Sequence, residues 1–78
     1  MREKKLRLII TFHTTTAAMA FESYCLAAGL PGRLIPVPTQ ITAGCGMAWM
    51  ADPADRDVLE EAIKKDALNV DALYEVVH

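Results

Sequence analysis

Residues 29–38 read Gly-Leu-Pro-Gly-Arg-Leu-Ile-Pro-Val-Pro and separate a helical pattern from a strand pattern. Gly29 can adopt the left-handed conformation that ends a helix, and Pro31 prevents the helix from continuing. Arg33 to Val37 predicts a strand, and because prolines cannot donate ladder hydrogen bonds, that strand belongs at an edge of its sheet. The stretch therefore predicts the end of a helix followed by an edge strand.

The chain before this stretch predicts a strand and the helix itself. Lys5 to Phe12 has the alternation of a strand, and its second face carries Ile9. A sheet with helices on one side only would leave Ile9 near water unless another subunit covered it. The threonines at positions 14 to 16 offer hydroxyl caps for a helix that runs to Ala28. The apolar stripe of that helix comprises Ala18, Phe21, Cys25 and Ala28.

The chain after it predicts a strand, a helix and a last strand. Gly46 to Ala51 alternates as the third strand, Asp52 caps a second helix that ends near Asp66, and Ala72 to Val77 forms the fourth strand. This order predicts an α+β, ferredoxin-like βαββαβ fold, with a four-stranded antiparallel sheet and two helices on one face. Strand one should lie between strands three and four, with strand two at the edge beside strand three. We expect residues 1–78 to form one domain.

Composition narrows the class of function. The chain is 53% hydrophobic and 23% charged with a net charge of −2, which is typical of a globular protein and gives no support for nucleic-acid binding. The apolar stretch from Leu6 to Phe12 is too short for a leader or a membrane span, so we expect a cytoplasmic protein. Two cysteines are too few for a secreted disulfide scaffold, so both thiols should be reduced. No motif indicates a cofactor.

Topology places the loop cysteine, Cys45, beside the first helix. Strand one runs antiparallel to strand three, so the end of strand one, the start of helix one and the start of strand three share one end of the sheet. The polar residues expected near Cys45 are His13, Thr14 and Thr15. The unpaired N–H groups and positive dipole end of a helix stabilise a thiolate there.

Gly44 and Gly46 flank Cys45 and let the backbone come close to a ligand. Such a loop can present a sulfur atom and converging N–H groups, which suits a thiolate, a persulfide or a selenide. The residues alone leave open whether Cys45 is functional or merely a small buried side chain. Cys25, on the apolar stripe of its helix, is predicted to be core. One cysteine and His13 do not supply the three or four ligands of a zinc site, so no metal is expected.

Three segments in order resemble a small bacterial family of selenium/sulfur carrier-like proteins, formerly described as a domain of unknown function. They are Phe-His-Thr-Thr at 12–15, the stretch 29–38, and Ile-Thr-Ala-Gly-Cys-Gly at 41–46. The resemblance covers essentially the whole chain. It implies a cytoplasmic carrier rather than a turnover enzyme, which would hold sulfur or selenium on Cys45 and exchange it with donor and acceptor proteins. The position after Pro38 is often basic in similar sequences and is Thr39 here, which argues against a cation that steadies the cargo.

Three alternatives stay open at this point. The first is a non-catalytic ferredoxin-like module for ligand binding or assembly, in which Cys45 is structural. The second is a thiol enzyme, for which Cys25 is poorly placed as a resolving cysteine. The third is metal delivery through Cys45 and His13, which the ligand count disfavours. The sequence does not choose between sulfur and selenium, and it favours a homodimer through the open sheet face at Ile9.

Overall fold

The elements follow the predicted order. The computed structural model describes residues 4–41 and 45–78. Its strands and helices are β1 (Leu6–Thr11), α1 (Thr15–Ala28), β2 (Arg33–Pro36), β3 (Met47–Ala51), α2 (Arg56–Lys65) and β4 (Ala72–Val77). The sheet has the order β2-β3-β1-β4, and each neighbouring pair is antiparallel. The ferredoxin-like βαββαβ arrangement and the position of the proline-bearing strand at an edge are confirmed.

Both ends of α1 have the predicted caps. The Thr14 hydroxyl accepts a hydrogen bond from the N–H of Ala17 at 3.0 Å, which satisfies one free donor of the first turn. Gly29 has a φ of 70° and ends the helix in the left-handed conformation. The N–H of Leu30 then bonds back to the carbonyl of Cys25 at 2.9 Å. Side chain and backbone together fix the limits of α1.

The second helix begins differently from the prediction. Asp52 caps a single turn of 3₁₀ helix, Pro53–Asp55, by accepting from the N–H of Ala54 at 3.1 Å, and α2 follows. A 3₁₀ turn is common at the end of an α-helix, where its tighter hydrogen bonds join the helix to the preceding chain. In the part of the chain that the structure describes, neither helix has the length and apolar character needed to cross a membrane.

The main core lies between the helices and one face of the sheet. Three aromatic rings pack together in this core. The ring centroids of Phe12 and Phe21 are 5.3 Å apart, and those of Phe21 and Trp49 are 5.6 Å apart. The predicted α1 stripe is wrong at one position, because Ala28 is exposed while Ala17 in the first turn is buried. The buried stripe thus lies nearer the start of α1. The buried members of this helix-side cluster are Leu8, Ile10, Phe12, Ala17, Ala18, Phe21, Cys25, Trp49, Ala51 and Leu59.

The other face of the sheet is covered by the chain's own loop after β2. Ile9 is 0% exposed, and it forms a second cluster with Ile35, Ile41 and Ala48. The prediction that Ile9 would lie near water without another subunit is therefore wrong. Ile41 comes from a loop that the strand pattern assigned to no face, and it supplies the apolar cover that Ile9 needs. The homodimer through this face stays a prediction, but the expected exposure of Ile9 no longer supports it.

Hydrogen bonds hold this loop across the sheet. At one end the N–H of Val37 donates to the carbonyl of Gly46 at 2.9 Å. At the other end the side-chain amide of Gln40 donates to the carbonyl of Val77, on β4, at 2.7 Å. Since β2 and β4 are opposite edges of the sheet, the loop spans its full width.

Candidate functional site

Cys45 lies beside the end of β1. Its N–H donates to the carbonyl of Phe12 at 3.0 Å, and Phe12 stands two residues before Thr14, the cap of α1. Phe12 is itself fully buried in the helix-side cluster. The cysteine backbone is thus anchored to a rigid part of the core at the end of the sheet where α1 begins.

The two thiols differ in accessibility. Cys45 is partly exposed, packs against the helix-side cluster, and has its sulfur 3.9 Å from the carbonyl oxygen of Met47. Cys25 is 0% exposed, and burial raises the pKa of its thiol to about 11 because the charged form would lose its hydration. The prediction that Cys25 is a core residue is confirmed. Cys45 is the more exposed of the two cysteines.

The residue after the cysteine, Gly46, has a backbone conformation that favours glycine. Gly46 has a φ of 93°, a region that residues with a Cβ rarely adopt, and an added Cβ there would meet no atom of the described residues, its chain neighbours aside, within 4 Å. The backbone turn, rather than lack of space, therefore requires glycine. Gly44, the other predicted flank of Cys45, lies outside the described residues.

His13 is directed to the other side of β1. Its side chain is 63% exposed, and its Nε2 lies 3.4 Å from a carboxylate oxygen of Asp71. Asp71 precedes β4, whereas Cys45 precedes β3, and β1 lies between those two strands. The sequence placed His13 at the correct end of the sheet, but the polar contact of its ring is with Asp71.

Asp71 is the residue that sequence reasoning missed. The hydroxyl of Thr11, a fully buried side chain, donates to the Asp71 carboxylate at 3.3 Å, and the Asp71 N–H donates to the Thr11 carbonyl at 2.7 Å. The sequence interpretation treated Asp71 as part of a connection. Once strand four is placed beside strand one, an acidic residue just before Ala72 must lie next to the end of β1, and that signal could have found it.

The two predicted threonines are exposed at the start of α1. Thr14 uses its oxygen as the acceptor for the Ala17 N–H, so its hydroxyl hydrogen can still donate to an anion. Thr15 is the first residue of α1, where backbone N–H groups have no partner within the helix. This end of the fold therefore offers hydrogen-bond donors close to the backbone of Cys45.

One groove of the surface, of about 440 Å³, is bordered by Arg33, Met50 and His78. Arg33 pairs with Met50 and Pro36 pairs with Met47, so Arg33 lies at the far end of β3 from Cys45. Among residues 4–41 and 45–78, no three His, Cys, Asp or Glu side chains are grouped to hold a metal ion.

Together these features define a small α+β protein with a partly exposed thiol beside a capped helix start. Residues 7–75 match the family described as "Putative Se/S carrier protein-like", and the chain belongs to that family. The resemblance drawn from the three sequence segments is confirmed. No curated protein and no solved structure gives a significant match.

Proposed function

We propose that this protein carries a sulfur or selenium atom on Cys45 between a donor and an acceptor protein. The observation that carries the proposal is the contrast between the two thiols: Cys45 is partly exposed beside the start of α1, whereas Cys25 is fully buried. Family membership supports the same cargo. A carrier needs one reachable sulfur and no second cysteine close enough to displace the cargo as a disulfide.

The transfer conserves atoms and electrons. The Cys45 thiolate attacks the outer sulfur of a donor persulfide and forms a new S–S bond, while the donor's own S–S bond breaks and its inner sulfur leaves as a thiolate. The proton of the outer sulfur stays with it or passes to water. For selenium, the outer atom is selenium and the new bond is S–Se. Release to an acceptor thiolate repeats the same exchange, so no external oxidant or reductant is required.

The bound persulfide or selenide is an anion, and the residues around Cys45 supply donors for it. We propose that Gly44 and Gly46 let the backbone approach the outer atom, because neither carries a side chain. Thr14 and Thr15 would offer a hydroxyl and backbone N–H groups at the positive end of α1. His13 is not included among these donors, because its contact with Asp71 holds its ring on the β4 side of β1.

The proposal requires contact between proteins. Both transfer steps need a second protein to bring its own sulfur to Cys45, so the surface around the loop would be a transient docking surface of modest area. We propose that this takes place in the cytoplasm, where thiols are kept reduced. One folded domain is enough for this role, and a carrier needs no turnover chemistry of its own.

The proposal is tested by loading the protein from a small persulfide donor, such as glutathione persulfide, and measuring the sulfur that cyanide then removes as thiocyanate. We expect close to one sulfur per chain for the wild type and for Cys25→Ser, and background release for Cys45→Ser. Cys25→Ser is the matched control because it removes a thiol without touching the loop. Equal release from Cys45→Ser and the wild type would contradict the proposal, and so would background release from the wild type.

A further inference from the structure

The two edges of the sheet are protected to different degrees. The edge strand β2 has four residues and carries Arg33 and Pro36, and a proline or a charge discourages pairing with another chain. The other edge strand, β4, has six residues, Ala-Leu-Tyr-Glu-Val-Val, without proline or glycine, and its one charged side chain, Glu75, is paired with Arg56 of the same chain. Among the strands of the described residues, it pairs with β1 alone. Its outer edge therefore has the length and composition of a strand that accepts a partner.

The hydrogen-bond register shows which groups point outward from β4. Lys5 and His78 exchange both backbone hydrogen bonds, at 3.4 and 2.9 Å. In an antiparallel pair such exchanging positions alternate, so the N–H and C=O groups of Leu73, Glu75 and Val77 point away from β1. The bond from the Gln40 side chain to the Val77 carbonyl agrees with this direction. The central part of the edge, at Leu73 and Glu75, has outward donors and acceptors ready to pair.

We propose that β4 pairs antiparallel with β4 of a second copy, about a two-fold axis at Tyr74, to form a continuous eight-stranded sheet. An antiparallel strand is its own complement about such an axis, which makes a second copy the natural occupant of this edge. Tyr74 then faces its own copy, and the outward groups of Leu73 exchange hydrogen bonds with those of Glu75. Both pairs of helices lie on one side of the joined sheet.

Side-chain chemistry selects this register. Side chains of one face must meet side chains of the same face, so the axis falls on a residue rather than between two. An axis at Glu75 would place two carboxylates directly opposite each other, which is unfavourable. An axis at Tyr74 instead pairs two aromatic rings on the face that also carries Ile9, and it sets each Glu75 opposite an apolar Leu73. Arg56 lies 2.6 Å from the Glu75 carboxylate and offsets its charge.

A disulfide tests the register. Tyr74 would sit at a non-hydrogen-bonded pair, where Cα atoms are about 4.5 Å apart, within the range a disulfide spans. In a Cys45→Ser background, Tyr74→Cys should give a covalent dimer under mild oxidation. Arg33→Cys, exposed on the β2 edge, is the matched control and should stay monomeric. Dimer yields for Tyr74→Cys no higher than for Arg33→Cys would overturn the proposal.

A second pair of variants tests the main-chain bonds in solution. Glu75→Pro removes an outward N–H without touching the ladder to β1, whereas Glu75→Ala removes the carboxylate and keeps that N–H. Light scattering over a concentration series should show a dimer for the wild type and Glu75→Ala, and a monomer for Glu75→Pro with an unchanged far-ultraviolet spectrum. A wild type that stays monomeric at all concentrations would overturn the proposal. Neither variant alters Cys45, so the result is independent of sulfur loading.

Discussion

The carboxylate of Asp71 lies 3.4 Å from Nε2 of His13 and links the start of β4 to the end of β1. The same carboxylate accepts a hydrogen bond from Thr11, whose side chain is fully buried. One acidic residue therefore serves a buried hydroxyl and an exposed imidazole. This arrangement holds His13 on the β4 side of the strand, away from the β3 side where Cys45 lies.

We predict that Asp71→Ala lowers the free energy of unfolding by about 1 kcal/mol, because the buried Thr11 hydroxyl loses the shorter of its two hydrogen bonds and keeps the Ala72 carbonyl, at 3.4 Å, as its acceptor. Asp71→Asn should lose less, since its amide oxygen can still accept from Thr11. The exposed pair with His13 adds little, as surface ion pairs generally do. Urea denaturation followed by Trp49 fluorescence measures the difference. The control is Asp57→Ala on the exposed side of α2, and an Asp71→Ala curve that matches it would contradict the prediction.

Alanine substitutions at Gly46 and Gly29 can be compared to test the role of the turn that follows Cys45. Their φ values are 93° and 70°, and at neither position would a Cβ meet an atom of the described residues, its chain neighbours aside, within 4 Å. Each change to alanine should therefore destabilise the fold through backbone strain alone, by about 1 to 2 kcal/mol. Only Gly46→Ala should also lower the sulfur loading of Cys45, because only that turn orients the cysteine. Equal loading of both variants, measured as thiocyanate released by cyanide, would show that the Gly46 turn has no part in the site.

The loop over the second sheet face gives a third prediction. Ile41 is 6% exposed and packs in the cluster that contains Ile9. Ile41→Ala should lower the free energy of unfolding by about 2 to 4 kcal/mol and increase the binding of a hydrophobic dye to the uncovered face. Thr39→Ala, in the exposed part of the same loop, should leave both measurements unchanged. If Ile41→Ala behaves like Thr39→Ala, the loop does not close the sheet in solution.

The sequence could predict those parts of the fold that depend on local patterns. Strand alternation, the threonine and glycine caps of α1 and the proline-bearing edge are local signals, and they gave the correct order of elements and sheet. The cover supplied by Ile41 depends on where a loop without periodicity crosses the sheet, and local patterns contain no such information. The 3₁₀ entry to α2 was missed because an aspartate cap and a following proline also fit an ordinary α-helix start.

The candidate site, like the fold, was predictable where local patterns or topology placed its residues, and not where distant residues did. The end of the sheet that carries Cys45 could be predicted from topology, because antiparallel strands bring defined ends together. The direction of the His13 ring could not, because it depends on Asp71, a residue distant in sequence that lies in a connection. The burial of Cys25 was foreseen from helix periodicity, whereas the residues around Cys45 left open whether its side chain is buried.

Cys25 gives a prediction for alkaline pH. Burial raises the pKa of its thiol from 9.0 to about 11 in the folded protein, so the unfolded chain releases this proton first as the pH rises. The stability linked to the neutral thiol is fully present below about pH 9 and is lost towards about pH 11. The loss amounts to about 2 to 3 kcal/mol. Denaturation curves of the wild type and Cys25→Ala should therefore converge or cross over this interval. Parallel pH profiles would contradict the prediction.

Cys45, and not Cys25, is the proposed acceptor of the cargo. Peptide mass spectrometry can locate the cargo, because trypsin cleaves after Arg33 and separates the two cysteines. After incubation with a persulfide donor, and separately with its selenium analogue, blocking of free thiols near pH 8 precedes digestion. We predict one added sulfur or selenium atom on the peptide that contains Cys45 and none on the peptide that contains Cys25. An unmodified Cys45 peptide, or equal modification of both peptides, would contradict the claim.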